Sequence, residues 1–577
     1  MKFKVSNLSI VALIIVIMLS VAVMFGTAQE QLYDNCTSLS ITPGATVDGS
    51  AMCTHTDDSG SDSPHLNMVP AQDWEPGSMR ALRVNTDVGP LVHVNEPITV
   101  TGEIPQLPHT YAYTNSAYTF QNEMGVGVGE STIGCKEKLV NMIGLFEQTE
   151  LTRVGLERTA TAREFIQTVG ELGEKYGFRA AFGCCAEMRA VIDKDEAWVL
   201  EMYPPGALWN PESGKPGMIW VAQRVPDGEI AVCANRGIIG AIDLEDTENF
   251  MASEHIYSRA EELGLWDPDS GVEFRVYDVY GSDSYSIGCS RRVWRVQDIL
   301  APSLNLSPNV WHYPFSVKPD KLVSAQDIMA INRDHYQGTK FDVAANKEGG
   351  PFGNPNPYRS QTEGYPSSAV RNIGISGANW STVVVARKDM PAWIGALTWF
   401  GFDNPATTCY IPIYSGATEL PESFQKGMRG GGYDVFSRES AWWAFNTVSN
   451  YTGLIWDHMI EDIKAVRDPL EEEFFAMQPA IEKTAIELYE QDPTLARTFI
   501  TNYTNSCANR AVDAYWKLAS QLFGRYNDGA KYADNEYKRD RIYYPDWWVK
   551  MVDFGSDWVL PEEDLWYTVD EKECPGK

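Results

Sequence analysis

Several sequence patterns that mark common classes of enzyme are missing from this chain. It contains no H-E-x-x-H pair for a catalytic zinc ion, no G-x-S-x-G nucleophile elbow and no P-loop of the G-x-x-x-x-G-K-[ST] type. No C-x-x-C pair is present, so a zinc knuckle is unsupported. These absences argue against metal hydrolases, serine hydrolases and nucleotide-dependent enzymes.

Positive charge is also scarce. The 577 residues include 47 Lys and Arg against 78 Asp and Glu, for a formal net charge of −31. Such a chain repels nucleic acid and anionic membrane surfaces, so neither is expected as a partner. The acidic residues are spread along the chain, which is typical of a solvated surface. The content of 44% hydrophobic and 12% aromatic residues indicates a folded protein with a large core.

What the chain does have begins with an export-type leader. Lys2 and Lys4 precede an apolar run over residues 8–25, and Gly26-Thr27-Ala28 offers small residues for cleavage. We interpret residues 1–28 as a signal peptide, with a membrane anchor as the alternative because the run is long enough to span a bilayer. The expected location is the periplasm, the cell surface or the extracellular space.

The ten cysteines leave their pairing open. Export permits disulfides, but the connectivity cannot be deduced from sequence. The adjacent residues Cys184 and Cys185 are not expected to bond to each other, because neighbours in sequence rarely meet disulfide geometry.

Cys36 lies just downstream of the leader and directly before an alternating run, Thr37-Ser38-Leu39-Ser40-Ile41. If the chain is cut before Cys36, that residue carries a thiol and a free α-amine together. The α-amine titrates near pH ~8 and can act as a base, whereas the thiolate is a strong nucleophile. The alternative is a buried or disulfide-bonded cysteine on the first strand of a secreted domain.

Strand-like patterns fill much of the chain before residue 437. Residues 111–128 read as strands with a turn at 122–125, and the glycines at 125–129 lack dinucleotide spacing and indicate a tightly packed strand. Two hairpins are predicted, one about the turn 193–196 and one about the turn 226–228. Later strand-like runs are 383–385, 394–402 and 410–413, and residues 345–380 read as surface loops.

Helical patterns are fewer before residue 437 and dominant after it. Thr161 and Glu164 form a capping box for a helix that Gly177 ends. Asp468-Pro469 and Asp492-Pro493 each place a capping residue before a proline at the first helical position. One apolar helix face, which we assign to core packing, consists of Phe474, Met477, Ile481, Ala485 and Leu488. The pattern predicts a layered α/β or α+β core followed by packed helices.

Polar residues cluster at the ends of several strand-like runs. Each cluster alone is typical of a solvated loop, and only their order along the chain makes them informative. The clusters are His55-Thr56-Asp57-Asp58, Glu130-Ser131-Thr132, Asn235-Arg236 and the arginines 291, 292 and 295.

Taken together, these segments resemble the cysteine dipeptidases of the N-terminal-nucleophile (Ntn) hydrolases, relatives of penicillin V acylase and the choloylglycine hydrolases. The resemblance covers nearly everything from residue 36 to the helical tail. Its segments are Cys36-Thr37-Ser38, Asp48-Gly49-Ser50, Asp57-Asp58-Ser59-Gly60, Asn122-Glu123, Gly125-Val126, Gly129-Glu130-Ser131-Thr132, residues 196–201, residues 222–228, Ala234-Asn235 and Arg292-Val293-Trp294-Arg295.

The resemblance implies an α+β fold, a four-layer αββα sandwich with a C-terminal helical extension. It implies a propeptide of residues 29–35, autocatalytic cleavage of the Asn35–Cys36 bond, an Ntn-hydrolase core over 36–436 and a helical region over 437–577. The enzyme would hydrolyse dipeptides through an acyl-thioester on Cys36. After processing, no stable membrane insertion is expected, and a homo-oligomer is left open.

The resemblance also implies roles for individual residues. Asp58, or its neighbour Asp57, would orient the amine and thiol of Cys36. Asn235 would donate to the tetrahedral intermediate, and Arg292 would belong to the polar shell of the cysteine. More weakly, the strand that supplies oxyanion or substrate contacts would carry Glu130, Ser131 and Thr132. No metal or organic cofactor would be needed.

One position departs from the acylase pattern. The acylase relatives have Arg-x-x-Asp where this chain has His55-Thr56-Asp57-Asp58. The histidine weakens the case for acylase chemistry on a large acyl group. It also leaves open which group adjusts the reactivity of the Cys36 thiol. Two alternatives therefore stay in view: an Ntn amidohydrolase for non-peptide N-acyl amides, and a non-enzymatic surface binding protein.

Overall fold

Two antiparallel sheets hold most of the strand residues in the computed structural model. The structure describes residues 36–59, 63–84, 99–181, 184–283, 286–358, 371–426, 436–533 and 538–555. The predicted signal peptide 1–28 and propeptide 29–35 lie outside these residues. The larger sheet has seven strands in the order β15-β13-β1-β2-β16-β17-β18. Its strands are β1 Ser38–Ile41, β2 Ala51–Asp57, β13 Ile230–Cys233, β15 Ser316–Val317, β16 Trp380–Ala386, β17 Ala396–Phe402 and β18 Ile411–Tyr414.

The second sheet has five strands in the order β14-β12-β11-β10-β9. Its strands are β9 Gly127–Gly134, β10 Cys185–Ile192, β11 Ala197–Tyr203, β12 Ile219–Arg224 and β14 Phe250–Ala252. Every residue of β11, like every residue of β16 and β17, is buried. Strands that are buried on both faces require cover from both sides.

Four small two-stranded sheets complete the strands of the described residues. They are β3 Asn67–Val69 with β8 Tyr113–Asn115, β4 Gln72–Asp73 with β7 His109–Thr110, β5 Met79–Val84 with β6 Thr99–Pro105, and β19 Ala530–Tyr532 with β20 Arg539–Arg541.

The helices of the described residues lie mainly outside the two large sheets. They are α1 Gln148–Leu156, α2 Ala162–Tyr176, α3 Ile256–Glu262, α4 Val276–Val279, α5 Ile287–Leu300, α6 Ala325–Asn332, α7 Ala392–Gly395, α8 Glu422–Gln425, α9 Ala441–Thr452, α10 Trp456–Gln491, α11 Pro493–Arg525 and α12 Asp546–Met551. None of them combines the length and the apolarity that a bilayer crossing requires.

The two large sheets pack face to face through small residues. Ser40 on β1 donates a hydrogen bond to the carbonyl of Trp198 on β11 at 3.1 Å. A Cβ added to Gly129 on β9 would lie 2.2 Å from the carbonyl oxygen of Thr54 on β2. Glycine is therefore required at this point, because a larger residue would push the sheets apart.

Helices cover the outer face of each sheet. On the five-stranded sheet, α2 brings Gly170 so close to Trp220 that a Cβ there would lie 2.4 Å from the indole ring. Phe165 of the same helix is fully buried, which stabilises the packing by roughly 1.5–3 kcal/mol. On the seven-stranded sheet, Trp399 of β17 stacks on Phe475 of α10 with ring centroids 3.9 Å apart. The fold is α+β, as predicted.

Several local predictions are confirmed. The Thr161 hydroxyl accepts a hydrogen bond from the Glu164 backbone N–H, and Gly177 ends α2 with a φ of 85°. Strands β10 and β11 form the predicted hairpin about residues 193–196. Asp492 caps α11, whose first residue is Pro493. The glycine-rich segment becomes the fully packed strand β9.

Other local predictions are wrong. Strands β12 and β13 do not pair as a hairpin, since β12 belongs to the five-stranded sheet and β13 to the seven-stranded one. The turn at 226–228 passes between the sheets, and Asp227 accepts a hydrogen bond from the Gly44 N–H at 2.7 Å instead. Pro469 lies inside α10 and does not begin a helix. Met477, assigned to the core face of that helix, is 43% exposed.

Two further segments also differ from expectation. Residues 55–57 belong to β2 itself and do not follow it, and residues 130–132 lie in the middle of β9. In the predicted surface loops at 345–380, Ile373 and Asn379 are buried, and β16 already starts at Trp380. Long-range pairing, which local sequence patterns do not report, decides these positions.

The nine cysteines of the described residues are free thiols. Cys184 and Cys185 are not bonded to each other, as predicted, although their sulfur atoms lie 3.1 Å apart.

Candidate active site

Cys36 lies immediately before β1, the strand between β13 and β2. Only 4% of the residue is exposed. Because β1 is internal to the sheet, strands on both sides and the facing sheet bring polar groups toward this single residue.

The main chain at Cys36 is held by three separate elements. Arg292 of α5 donates through Nη1 to the Cys36 carbonyl at 2.8 Å and to the Thr37 hydroxyl at 2.9 Å. Ser131 of β9 donates to the same carbonyl at 3.4 Å. The Thr37 N–H donates to the Thr56 hydroxyl of β2 at 3.0 Å. The position of Cys36 is thus fixed by two donors, Arg292 and Ser131, and one acceptor, Thr56, from three different elements.

Asn235 connects Arg292 to β9. Its Oδ1 accepts from Nη2 of Arg292 at 2.7 Å, and its Nδ2 donates to the Thr132 carbonyl at 2.8 Å and the Ser131 hydroxyl at 3.3 Å. The residue follows β13 with a φ of 63°, a left-handed conformation that asparagine tolerates better than most residues. The amide is oriented toward Cys36 by contacts on both of its ends.

Asp58 follows β2 and is fully buried. Its Oδ2 accepts from Nη2 of Arg371 at 2.6 Å and from the Thr56 hydroxyl at 3.0 Å. Burial raises the pKa of Asp58, although the Arg371 guanidinium opposes the shift. The Thr56 hydroxyl also accepts from the Thr37 N–H, so it links the Asp58 carboxylate to the residue that follows Cys36. Asp57 points to another partner, since its Oδ2 accepts from the Asn379 amide at 3.3 Å.

His55 and Glu130 form a buried pair on facing sheets. Nε2 of His55 lies 3.0 Å from Oε2 of Glu130, and the imidazole is flanked edge-on by Tyr118 and Trp380. Burial lowers the pKa of His55 to about 3, so the imidazole is neutral near pH 7. The other Glu130 oxygen accepts from the Thr132 hydroxyl at 3.1 Å.

A second carboxylate lies behind this pair. Glu187 of β10 accepts from the Thr132 hydroxyl at 3.0 Å and from Nη1 of Arg189 at 2.7 Å. Burial, followed by the nearby Glu130 carboxylate, raises the pKa of Glu187 well above its ordinary value. The raised pKa favours the protonated form of the Glu187 carboxyl group.

The electrostatics keep Cys36 protonated in the uncut chain. Burial raises the pKa of its thiol well above the ordinary value, and the carboxylates of Glu130, Asp57 and Asp58 raise it further. The Asp58 backbone hydrogen bond opposes the shift. A thiol in this environment needs a base close by before it can act as a nucleophile.

A cavity of about 170 Å³ adjoins the polar network. Thr132 and Asn235, two residues of the network, form part of its wall. Its other lining residues include Cys185, Arg236, Tyr277 and Cys289. The cavity has room for a small substrate beside the groups that surround Cys36.

The residues predicted from sequence therefore converge, and the structure adds others. Cys36, Asp58, Asn235 and Arg292 lie in one hydrogen-bonded network, which Thr56 and Thr37 complete. Glu130, Ser131 and Thr132 come from β9 of the facing sheet, and His55 comes from β2 beside β1. Arg371, Glu187 and Arg189 were not predicted. No local pattern identifies Arg371, which lies 313 residues from Asp58. Glu187 and Arg189 alternate with apolar residues on β10, a pattern that resembles an ordinary strand.

Comparisons with known proteins identify peptidases as the similar proteins. The sequence model of peptidase family C69 matches residues 35–468. A probable dipeptidase of Salmonella dublin is 26% identical over 414 residues, 68% of this chain and 84% of that protein. Dipeptidase A of Lactobacillus helveticus is 26% identical over 284 residues, 49% of this chain and 53% of that protein. A probable dipeptidase A of Streptococcus pyogenes serotype M18 is 21% identical over 501 residues, 83% of this chain and 95% of that protein.

Proposed function

The chain belongs to peptidase family C69, and from this membership we propose that it is an exported dipeptidase with Cys36 as its nucleophile. The relatives from Salmonella dublin, Lactobacillus helveticus and Streptococcus pyogenes are all named as dipeptidases. We further propose that the two sheets with their outer helices form the αββα sandwich of the Ntn hydrolases. In this proposal residues 1–28 direct export to the periplasm, the cell surface or the extracellular space.

The observation that carries the proposal is the fixed position of Cys36. Arg292, Ser131 and Thr56 come from three different elements and hold the peptide groups at residues 36 and 37. A cysteine that served only to fill the core would need no such set of hydrogen-bond partners. Cys53 on the neighbouring strand is equally buried, and burial alone raises the pKa of its thiol.

Processing comes first in the proposed sequence of reactions. The Cys36 sulfur adds to the carbonyl carbon of Asn35, and the Cys36 nitrogen leaves as a free amine. Water then hydrolyses the thioester and releases the propeptide. The mature chain starts with a residue that holds both a nucleophile and a base, as in N-terminal threonine enzymes.

Dipeptide hydrolysis uses the same atoms. The α-amine of Cys36 takes the thiol proton, and the sulfur attacks the peptide carbonyl of the substrate. The C–N bond breaks as the leaving amine takes a proton from the Cys36 ammonium. Water, deprotonated by the amine, then cleaves the acyl-thioester and restores the thiol. These steps require no metal or organic cofactor.

Asn235 and backbone N–H groups are proposed to hold the oxyanion. Both hydrogens of the Asn235 amide are engaged within the protein, and the bond to Ser131 is the longer one at 3.3 Å. Substrate would replace that bond. A donor of this kind contributes roughly 3 kcal/mol to the transition state. Asp58 is proposed to orient the amine, while Arg371 holds the carboxyl group of Asp58.

The test combines the N-terminus of the purified protein with an assay. The wild-type protein is expected to start at Cys36 and to hydrolyse Ala-Ala-type dipeptides in preference to N-phenylacetyl amino acids. Cys36→Ala should retain the propeptide 29–35 and show no turnover, whereas Cys53→Ala should be cut before Cys36 and hydrolyse dipeptides as wild type does. Wild-type-like dipeptide hydrolysis by Cys36→Ala would end the proposal, and preference for the phenylacetyl substrate would favour the amidohydrolase alternative.

A further inference from the structure

Cys36, His55 and Glu130 place three different metal-binding atoms together. The Cys36 sulfur, one imidazole nitrogen and one carboxylate oxygen all lie within 4.8 Å of one another, and all three residues are buried. They come from the start of β1, from β2 and from β9, so the two facing sheets converge on this point. Exposed acidic groups often cluster without a ligand, but a buried cluster of mixed donors is a different case.

His55 and Glu130 each have one buried side-chain atom with no hydrogen bond within the described part of the chain. These atoms are Nε2 of His55 and Oε2 of Glu130. The two atoms are only 3.0 Å apart, yet their orientation does not meet hydrogen-bond geometry. Buried polar atoms without a partner are costly unless a further group joins them, and both side chains offer a ligand atom within 4.8 Å of the Cys36 sulfur. A cation between the atoms would satisfy both.

We propose that Cys36, His55 and Glu130 form a site for a divalent cation of the zinc class, and that occupancy blocks the nucleophile. Thiolate sulfur, imidazole nitrogen and carboxylate oxygen are the ligands that zinc prefers. One thiolate and one carboxylate balance the double positive charge, so the loaded site is neutral and tolerates burial. The cation displaces the thiol proton into solvent as the metal–sulfur bond forms.

The surroundings hold the donors in place for such an ion. The second Glu130 oxygen accepts from the Thr132 hydroxyl at 3.1 Å, and Nη1 of Arg189 lies 3.8 Å from it. Outer contacts of this kind orient the ligands of metal sites. Tetrahedral zinc bonds of about 2.0–2.3 Å place neighbouring ligand atoms about 3.3–3.8 Å apart. The measured separations require only small side-chain shifts to reach that geometry.

The consequence for activity depends on the proposed function, but the binding itself does not. In a chain that starts at Cys36, the α-amine adds a fourth donor and forms a five-membered chelate ring with the sulfur. The cation then occupies both the nucleophile and the base, so that dipeptide hydrolysis stops until a chelator removes the ion. Without processing, three side-chain donors remain.

Cobalt(II) is the probe for this site, because a cobalt–thiolate bond gives a near-ultraviolet charge-transfer band. The metal-stripped full protein is titrated with Co²⁺, and Zn²⁺ is then added. We expect one equivalent of Co²⁺ to produce the band, Zn²⁺ to remove it, and dipeptide hydrolysis to fall in step with occupancy and to return with a chelator. Absence of a thiolate band at saturating Co²⁺ would overturn the proposal.

Substitutions of His55 and Glu130 test whether these residues bind the metal. His55→Ala and Glu130→Gln should each weaken Co²⁺ binding about 10-fold or more, since even loss of an outer contact of a metal site costs that much. His109→Gln is the matched control, because His109 also pairs with a carboxylate, Asp73 at 2.7 Å, but is exposed and belongs to no three-residue cluster of metal-binding groups in the described residues. Unchanged affinity in both site variants would refute the assignment.

Two further results separate misfolding of a variant from loss of a ligand, and failure of the metal site from failure of the proposed function. If either site variant fails to fold, Cys36→Ala, which removes only the sulfur, must still lose the charge-transfer band; retention of the band would place the metal elsewhere. If the wild-type protein binds one Co²⁺ through a thiolate but hydrolyses no dipeptide in the absence of metal, the proposed function fails and the metal site stands.

Discussion

Buried charged side chains lie in two regions of this molecule, and the two regions differ in how completely the carboxylates are paired and hydrogen-bonded. Where helices α10 and α11 meet the seven-stranded sheet, each of two buried carboxylates has an arginine and further donors. Glu482 lies 2.7 Å from Arg387 and accepts from the Tyr414 hydroxyl at 2.9 Å. Glu471 accepts from Arg333 at 2.5 Å and from the Tyr410 N–H at 2.7 Å.

Around Cys36, not every buried polar atom of the described residues has a hydrogen-bond partner. In the described residues, Nε2 of His55, Oδ1 of Asp58 and Oε2 of Glu130 make no hydrogen bond although all three atoms are buried. Groups left unsatisfied in this way destabilise the fold, so their presence needs an explanation outside stability. The contrast concerns the carboxylates, since Nε of Arg333 at the helix interface also lacks a hydrogen bond in the described residues. It indicates that the carboxylates of the helix interface maintain the structure, while those at Cys36 keep binding capacity for a ligand or a reacting group.

The largest expected effect concerns the helix interface. Glu482→Ala removes one partner of a buried ion pair and leaves the Arg387 charge uncompensated, which should lower the free energy of unfolding by about 3–5 kcal/mol. Glu487→Ala on the same helix is the control, because its ion pair with Lys483 is exposed and should contribute less than about 1 kcal/mol. Urea-induced unfolding measures both. Equal losses would show that Arg387 and Glu482 have no structural role beyond that of a surface pair.

The next effect concerns the centre at Cys36. Arg292→Lys keeps the positive charge but cannot donate at once to the Cys36 carbonyl, the Thr37 hydroxyl and Asn235. We expect kcat/KM for dipeptides to fall about 100-fold, or about 2.7 kcal/mol of activation free energy, mainly through kcat.

Arg291→Lys is the neighbouring control. The Arg291 guanidinium stacks over the Phe341 ring at 3.8 Å, so this replacement should alter kcat/KM far less. Both variants are checked for a chain that starts at Cys36 before they are assayed. Equal kinetics in the two variants would contradict the positioning role of Arg292.

Sequence patterns were sufficient wherever the determinant was local. The capping residue Thr161 and the terminal Gly177 identified α2, and the turn at 193–196 identified the β10–β11 hairpin. The turn at 226–228 has an equally good hairpin pattern, yet it connects different sheets because β13 pairs with β1 through Ser38 and Cys233. Turn chemistry specifies a reversal of the chain but not which strand becomes the neighbour.

The same limit applies to the candidate site. Cys36, Asp58, Asn235 and Arg292 were predicted through resemblance to a family, which carries long-range information that a single pattern lacks. Arg371 was missed since its contact with Asp58 spans 313 residues and nothing beside Arg371 in sequence marks it. It supplies the guanidinium that donates to the buried Asp58 carboxylate at 2.6 Å.

The third effect is the response of stability to pH. Burial lowers the pKa of His55 to about 3, whereas the unfolded side chain titrates near pH ~6.5, so the unfolded state binds an additional proton between these values. The His55 contribution to stability is therefore complete above pH ~6.5 and is lost as the pH falls toward 3. Between pH 6.0 and 4.5 wild type should lose about 2 kcal/mol more than His55→Gln. Urea unfolding over this range measures the difference, and parallel profiles would show that His55 protonates freely.

The smallest effect distinguishes two identical dipeptides in the helix region. The Asp492 carboxylate accepts from the Thr494 N–H at 2.8 Å and caps α11, whereas Asp468, also followed by proline, lies inside α10. Asp492→Ala should lower the free energy of unfolding by about 1 kcal/mol, Asp492→Asn should restore most of it, and Asp468→Ala should cost less than about 0.5 kcal/mol. If the two alanine variants were equivalent in urea unfolding, the Asp492 side chain would not act as a cap. A selective loss would show that contacts in the helix region contribute to stability one at a time, unlike the coupled network around Cys36.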